Sequence, residues 1–163
     1  VDVRISGNHK IKKESDVTFT ITPGRDSKAN VTVSAELPDG SKKTLPAKEF
    51  RVKRIPDPAP FFVGKTSSDR TISKQALIGA DGLGAQMVNF DFDVRVVVKS
   101  FSVSVSRDGT LVEKSSNSNR LSAEMKQLFN RVSRGNVVYF EDIIVGMPDG
   151  TERQVAAMKL KVN

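Results

Sequence analysis

The residue types that do chemistry are few in this chain, and their spacing does not suit it. Cysteine is absent, which excludes thiol nucleophiles, cysteine zinc sites and disulfides together. His9 is the single histidine and sits in the polar stretch Gly7-Asn8-His9-Lys10, which reads as a solvated turn. A histidine triad would rest on that residue alone, and a His-rich metal site is out of reach. Asp91 and Asp93 alternate with Phe90 and Phe92, so on a strand both carboxylates point away from the phenyl rings. A glycosidase needs its carboxyl pair across a cleft, not two residues apart on one strand. Glu141 and Asp142 are adjacent in strand-like sequence and therefore diverge. Gly79-Ala80-Asp81-Gly82-Leu83-Gly84-Ala85 is glycine-rich, but it follows a helical pattern and precedes a strand, the reverse of a phosphate-cradling order. It reads instead as a helix stop or a mobile loop that meets a partner. No serine lies in Gly-x-Ser-x-Gly. The chain is expected to be no enzyme and to carry no cofactor or metal.

Charge is the next candidate for function. The formal net charge is +7, with twelve Lys and Arg against seven acids in residues 1–55 and fourteen against twelve in the rest. The excess gathers at Lys10, Lys12 and Lys13, then at Lys42, Lys43, Lys48, Arg51, Lys53 and Arg54. A solvated strand face with alternate lysines accounts for this more simply than a specific site. Nucleic acid is not expected as a partner, because a single-strand surface stacks bases on exposed aromatics. Only ten aromatic residues are present, most at core-like positions.

The elements that position these residues are mainly strands. Period-two alternation runs between turns rich in Gly, Pro, Asn and Asp. It covers Val17, Phe19 and Ile21, then Val31, Val33, Ala35 and Leu37, and after Pro38-Asp39-Gly40 it covers Leu45, Phe50, Val52 and Arg54. Pro56, Pro58 and Pro60 do not suit a sheet interior and predict a stiff extended connector at a domain boundary. Phe61, Phe62 and Val63 then plug into the next domain, and residues 64–72 read as a polar loop. Ser73 caps a short helix over 74–79 that Gly79 stops. Residues 89–106 form the longest strand region, with Phe90, Phe92, Val94, Val96 and Val98 on one parity and Phe101, Val103 and Val105 on the other. The parity change at Lys99-Ser100 reads as a β-bulge or sharp bend. A turn follows at Arg107-Asp108-Gly109. Leu121, Met125, Leu128, Phe129 and Val132 predict a helix near 121–133, capped by Ser122 and ended by Gly135-Asn136. Val138, Phe140, Ile143 and Val145 make the penultimate strand. Pro148-Asp149-Gly150 turns the chain into Val155, Met158, Leu160 and Val162.

The two Pro-Asp-Gly hairpins echo one another. Leu37–Val52 aligns without a gap on Met147–Val162, with Leu45 on Val155 and Phe50 on Leu160, and the match runs upstream through Val33 on Ile143 and Ala35 on Val145. This predicts tandem Ig-like β-sandwich domains ending in the same hairpin, an all-β fold with one short and one longer helix. Residues 1–56 would be the C-terminal part of a first domain, incomplete at its N-terminus, and 57–163 a complete second one. The sequence begins inside strand-like Val1–Ile5, so a natural N-terminus is expected elsewhere.

The strings Phe50-Arg-Val-Lys-Arg-Ile-Pro-Asp-Pro58, Ile72-Ser-Lys-Gln-Ala-Leu77, Asn89-Phe-Asp-Phe-Asp-Val94 and Val138-Tyr-Phe-Glu-Asp-Ile-Ile144 resemble, in this order, the C-terminal part of the GldM/PorM family. That family serves gliding motility and type IX secretion in Bacteroidetes. The resemblance implies a periplasmic homodimeric shaft of tandem domains, anchored in the inner membrane. An N-terminal helix, not in this chain, would pair with a motor partner there. The distal end would meet an outer-membrane-associated ring of a lipoprotein and its companion. The candidate contacts are the basic strand Arg51, Lys53 and Arg54, the polar loop from Lys65 to Arg70, and Gly79, Gly82 and Gly84. The alternative is a stand-alone extracellular binding module of adhesin or carbohydrate-binding type, disfavoured by the absence of tryptophan and the lone Tyr139.

Overall fold

The computed structural model describes every residue except Asp108, so the turn expected at Arg107-Asp108-Gly109 lies outside the described residues. The chain divides into two compact units, Val1–Ile55 and Pro56–Asn163.

In the first unit, β1 (Asp2–Ile5), β4 (Lys28–Glu36), β5 (Lys42–Thr44) and β6 (Lys48–Arg51) form one antiparallel sheet. β2 (Lys10–Lys13) and β3 (Phe19–Thr22) form a separate hairpin. His9 is not a solvated turn residue. Its Nδ1 accepts the Gly24 amide at 2.8 Å, which leaves the proton on Nε2 to be donated to the Lys28 carbonyl at 2.9 Å. The imidazole thus ties the base of the β2–β3 hairpin to the start of β4. The basic strand ends earlier than expected. Arg51 closes β6, Val52 still bonds to the Ser27 carbonyl, and Lys53 and Arg54 lie beyond it.

The second unit is a sandwich. Its large sheet has the order β12-β11-β13-β15-β9, built from β9 (Thr71–Ile72), β11 (Val97–Arg107), β12 (Thr110–Ser116), β13 (Val137–Gly146) and β15 (Met158–Val162). The short β14 (Glu152–Gln154) also pairs with β13. Against this sheet lie the three-stranded β10-β7-β8 sheet and two helices. Its strands are β7 (Ala59–Phe62), β8 (Lys65–Thr66) and β10 (Gly84–Gln86), and the helices are α1 (Lys74–Gly79) and α2 (Ala123–Asn130). Ser73 and Ser122 cap the helices by accepting the Ala76 and Met125 amides. Gly79 is the last residue of α1 rather than a left-handed stop, since the chain leaves the helix at an extended Ala80. α2 is shorter than 121–133. Its cap, Arg131, returns its amide to Leu128 and Phe129, and Val132 stays buried without being helical.

Four other expectations change. Pro60 lies inside β7, opposite Ala85, because pairing on the β8 side begins only at Phe61 and the missing N–H leaves no ladder bond broken there. Residues 64–72 include β8 and β9 rather than a loop alone. Of Phe61, Phe62 and Val63, only Phe62 is fully buried. Val63 and Gly64 form the two-residue tip of the β7–β8 hairpin at φ 48° and 72°, a type I′ turn. The fourth change is the long strand. It starts at Val97, and residues 88–96 belong to no strand.

The parity change at Lys99 is a bulge. Val98 faces Val145 and Ser100 faces Ile144, so Lys99 is the extra residue on β11. Further along, Ser102 faces Glu141, and Phe101 alone stands opposite Asp142 and Ile143. Asp142, at φ 49°, is the compensating bulge on β13. Each strand switches parity once, so Val98, Phe101, Val103 and Val105 meet Val138, Phe140, Ile143 and Val145 on the core side, all buried.

The core centres on phenyl rings. Phe140 stands 4.5 Å from Phe62, 6.4 Å from Phe129 and 6.5 Å from Phe101 between centroids, and Phe62 meets Phe129 edge-on at 6.2 Å. Phe140→Ala removes the shared ring and is expected to lower unfolding free energy by about 3–5 kcal/mol, measured by denaturant titration. Val63→Asn acts the other way. A β-branched residue at positive φ is strained, whereas Asn-Gly suits the turn, so the denaturation midpoint should rise by the equivalent of about 1 kcal/mol.

Candidate partner-contact surfaces

Local backbone chemistry decides where the functional candidates sit. Gly82 and Gly84 are packing glycines. A Cβ on Gly82 would run into the Asn119 carbonyl, where Gly82 bridges to Arg120, and one on Gly84 would run into the Phe61 ring. Leu83 donates its amide to Asn119, and Leu121 donates to Asp81, so the glycine-rich loop is pinned on both sides of a buried Leu83. Gly79 has open space around its Cα. Lys65 pairs with Asp69 at 3.2 Å, and Asp69 also accepts the Thr66 amide at 2.8 Å. Those bonds hold the Asp69 carboxyl below its ordinary 3.8, the Thr66 amide contributing most and Lys65 next. Arg70 is exposed, and its carbonyl accepts the Lys161 amide. Lys65, Arg70, Gly79, Gly82 and Gly84 all belong to the second unit, whereas Arg51, Lys53 and Arg54 are exposed on the first.

Of the candidate carboxylates, Glu141 and Asp142 serve structure, whereas Asp91 and Asp93 are exposed. Ser104 is buried and donates to Glu141 at 2.7 Å, while Asp142 takes the Gln154 amide at 3.4 Å. Arg153, with a side chain only 10% exposed, reaches the Asp57 carboxylate at 2.8 Å and the Pro56 carbonyl at 3.3 Å. This fastens the start of the proline run to β14. Among the described residues, no group of three or more His, Asp or Glu is placed to hold a metal ion. No helix of the described residues is long and apolar enough to cross a membrane.

Two surface features were not legible beforehand. β12 is an edge of the large sheet, seven residues long and paired only with β11. Its sequence, Thr-Leu-Val-Glu-Lys-Ser-Ser, hides it because the alternation is short and the charges fall in the middle. The other is the first unit's apolar face. Cross-strand partners share a face, so Val3, Ile5, Ala29, Val31, Val33, Ala35, Leu45 and Phe50 lie together. Only Ala29 among Val1–Ile55 is buried. Leu45 is 51% exposed where its echo Val155 is 8%, and Phe50 is 46% exposed where Leu160 is 0%.

The echo itself is geometrical. Ser34 pairs Thr44 as Ile144 pairs Gln154, and Leu45 donates to Val33 as Val155 donates to Ile143, both at 2.9 Å. In the turns, Asp39 accepts the Ser41 amide and hydroxyl at 2.9 and 2.6 Å, and Asp149 accepts those of Thr151 at 3.0 and 2.6 Å. The hydroxyl bond first and the amide bond second hold each carboxyl below 3.8, with Arg153 adding charge at Asp149. A folded value lower than the unfolded one stabilises the hairpin above the ordinary carboxylate range, and the effect is lost as pH falls through the folded value. NMR titration should therefore give both carboxyls midpoints below 3.8, with the Ser41 and Thr151 amides shifting in step. Midpoints at or above that value would contradict the turn assignment.

Residues 56–163 match the family model of the GldM C-terminal domain, and residues 1–53 match that of the GldM third domain. No curated protein matches the chain. Two consecutive domains of one family thus follow each other along nearly all of a sequence whose two halves end in the same hairpin. The chain belongs to the GldM family of gliding-motility and type IX secretion components.

Proposed function

We propose that this chain is a periplasmic shaft segment of the type IX secretion and gliding apparatus. It acts as a homodimer that passes mechanical change from an inner-membrane, proton-driven motor to an outer-membrane-associated ring by protein contacts. It performs no catalysis. The observation that carries this reading is the pair of consecutive family matches in fixed order. The geometry is compatible with a passive, stiff element. The second unit has a continuous aromatic core, its proline run is held to β14 by Arg153, and Asp69, Glu141 and Asp149 are spent on turns and strand contacts.

The first unit, in this reading, is the trailing part of a larger sandwich. A unit of this size with one buried side chain does not offset an ordering cost of about 1–2 kcal/mol per residue. The echoed face in the second unit is covered by the β7–β10 region and the helices, so an equivalent layer from other polypeptide would cover Leu45 and Phe50.

Two measurements test these statements. Purified ring lipoprotein with its companion should retain the chain on an affinity support, and charge reversal at Arg51, Lys53 and Arg54 or at Lys65 and Arg70 should identify which surface is used. No retention at concentrations of tens of micromolar would remove the ring-linking role. By hydrogen exchange, amides of β4–β6 should exchange at least about a hundredfold faster than those of β13–β15. Equal protection would show the first unit to be self-sufficient.

A further inference from the structure

Residues 88–96 are strand sequence without a strand. Phe90, Phe92, Val94 and Val96 alternate with Asp91, Asp93 and Arg95, a pattern suited to a half-buried strand, and the segment contains no proline, glycine or lysine. Yet the segment lies outside every strand, and its backbone makes no hydrogen bond among the described residues. The reason is topological. β11 begins at Val97 opposite Gly146, where β13 ends, so no neighbouring strand continues for the preceding residues to lie against. Phe92 is 70% exposed with its ring 5.5 Å from that of Phe90, and Val88 and Val97 are exposed as well. Asp91, Asp93 and Arg95 have no ion-pair partner among the described residues. A segment of strand-forming sequence left with free backbone groups and without a gatekeeping lysine or proline is a template for pairing with another chain.

We propose that residues 92–96 pair antiparallel with the same residues of a second copy of this chain, about a two-fold axis at Val94. The charge pattern selects this register. Opposed residues in an antiparallel pair share a face, so a two-fold pairing must join residues of equal parity. With Val94 opposite itself, Phe92 meets Val96 of the second copy and Asp93 meets its Arg95. Symmetry repeats both contacts. Centring one residue earlier sets Asp93 against Asp93, and one residue later sets Arg95 against Arg95. Only the Val94 register satisfies both charges with no like-charge contact, and it also covers Phe92. The proposal names the contact surface of the homodimer suggested above and rests on that reading. Five paired residues make a small interface, so the association is weak unless other parts of the protein add to it.

The absence of cysteine makes the test clean. Opposed Cα atoms in such a pair lie about 4.5–5.5 Å apart, within disulfide reach. Val94→Cys should give a covalent dimer under mild oxidation, whereas Leu111→Cys, on β12 and more exposed than the half-buried Val94, should not. In sedimentation equilibrium, Asp93→Arg or Arg95→Asp alone should weaken self-association about tenfold or more, and the double exchange D93R/R95D should restore it. Circular dichroism checks that each variant is folded. A wild-type dimer that is insensitive to the single exchanges, with Val94→Cys crosslinking no faster than Leu111→Cys, overturns this interface but leaves the homodimer standing elsewhere. A wild-type monomer with no Val94→Cys crosslink overturns both.

Discussion

The register between β11 and β13 is the constraint on which the second unit depends. A one-residue slip between paired strands turns every later side chain to the other face. Lys99 introduces such a slip on β11, and Asp142 removes it on β13 a few residues away. If only one bulge were present, either Phe101, Val103 and Val105 or Ile143 and Val145 would face water. Both together bend the central pair while keeping the buried residues of each strand opposed. Phe140 sits just beyond the second bulge, aimed at Phe62 from the facing sheet, so the aromatic core inherits its geometry from this correction. Lys99 lies over Gly146, where a side chain on the glycine would collide with its methylenes.

The same hairpin scaffold, used twice, separates what local sequence does from what burial does. In both copies the Pro-Asp-Gly turn, the carboxylate–hydroxyl bond and the amide bond that follows the turn recur within about 0.2 Å. These interactions are local and need no surroundings. The fate of the apolar positions differs completely, because covering them requires a second layer. The second unit provides one from β7, β10 and the helices, and the first unit's strands do not. Even the long-strand register departs by one residue between the copies. Val31 pairs Lys48, whereas Phe140, not Glu141, pairs Met158, because only β13 carries the Asp142 bulge.

Apart from Asp91 and Asp93, the polar side chains that invite catalytic readings are absorbed by architecture. His9 has both ring nitrogens engaged by backbone groups, Glu141 holds the buried Ser104, and Asp39, Asp69 and Asp149 are turn anchors with lowered carboxyl values. Acidic groups pinned as anions by hydrogen-bond donors are poor proton donors near neutral pH. The glycines behave alike, with Gly82 and Gly84 allowing close approach of Asn119 and Phe61 rather than cradling a phosphate.

Much of this protein was determined by its sequence alone. Period-two patterning marked most of the principal strands, Ser73 and Ser122 marked both helix starts, and the parity break at Lys99-Ser100 marked the first bulge. Each is a short-range property of backbone geometry or side-chain direction. The family strings were legible for the same reason, as residues in order along the chain. Tertiary structure decided the rest. Residues 88–96 carry as good an alternation as β13, yet lack a strand to pair with, and β12 has a poor alternation but lies beside β11. His9 looked solvated until Gly24 and Lys28 were brought to its ring. Pairing and burial depend on what residues distant in sequence supply, and no local pattern carries that information.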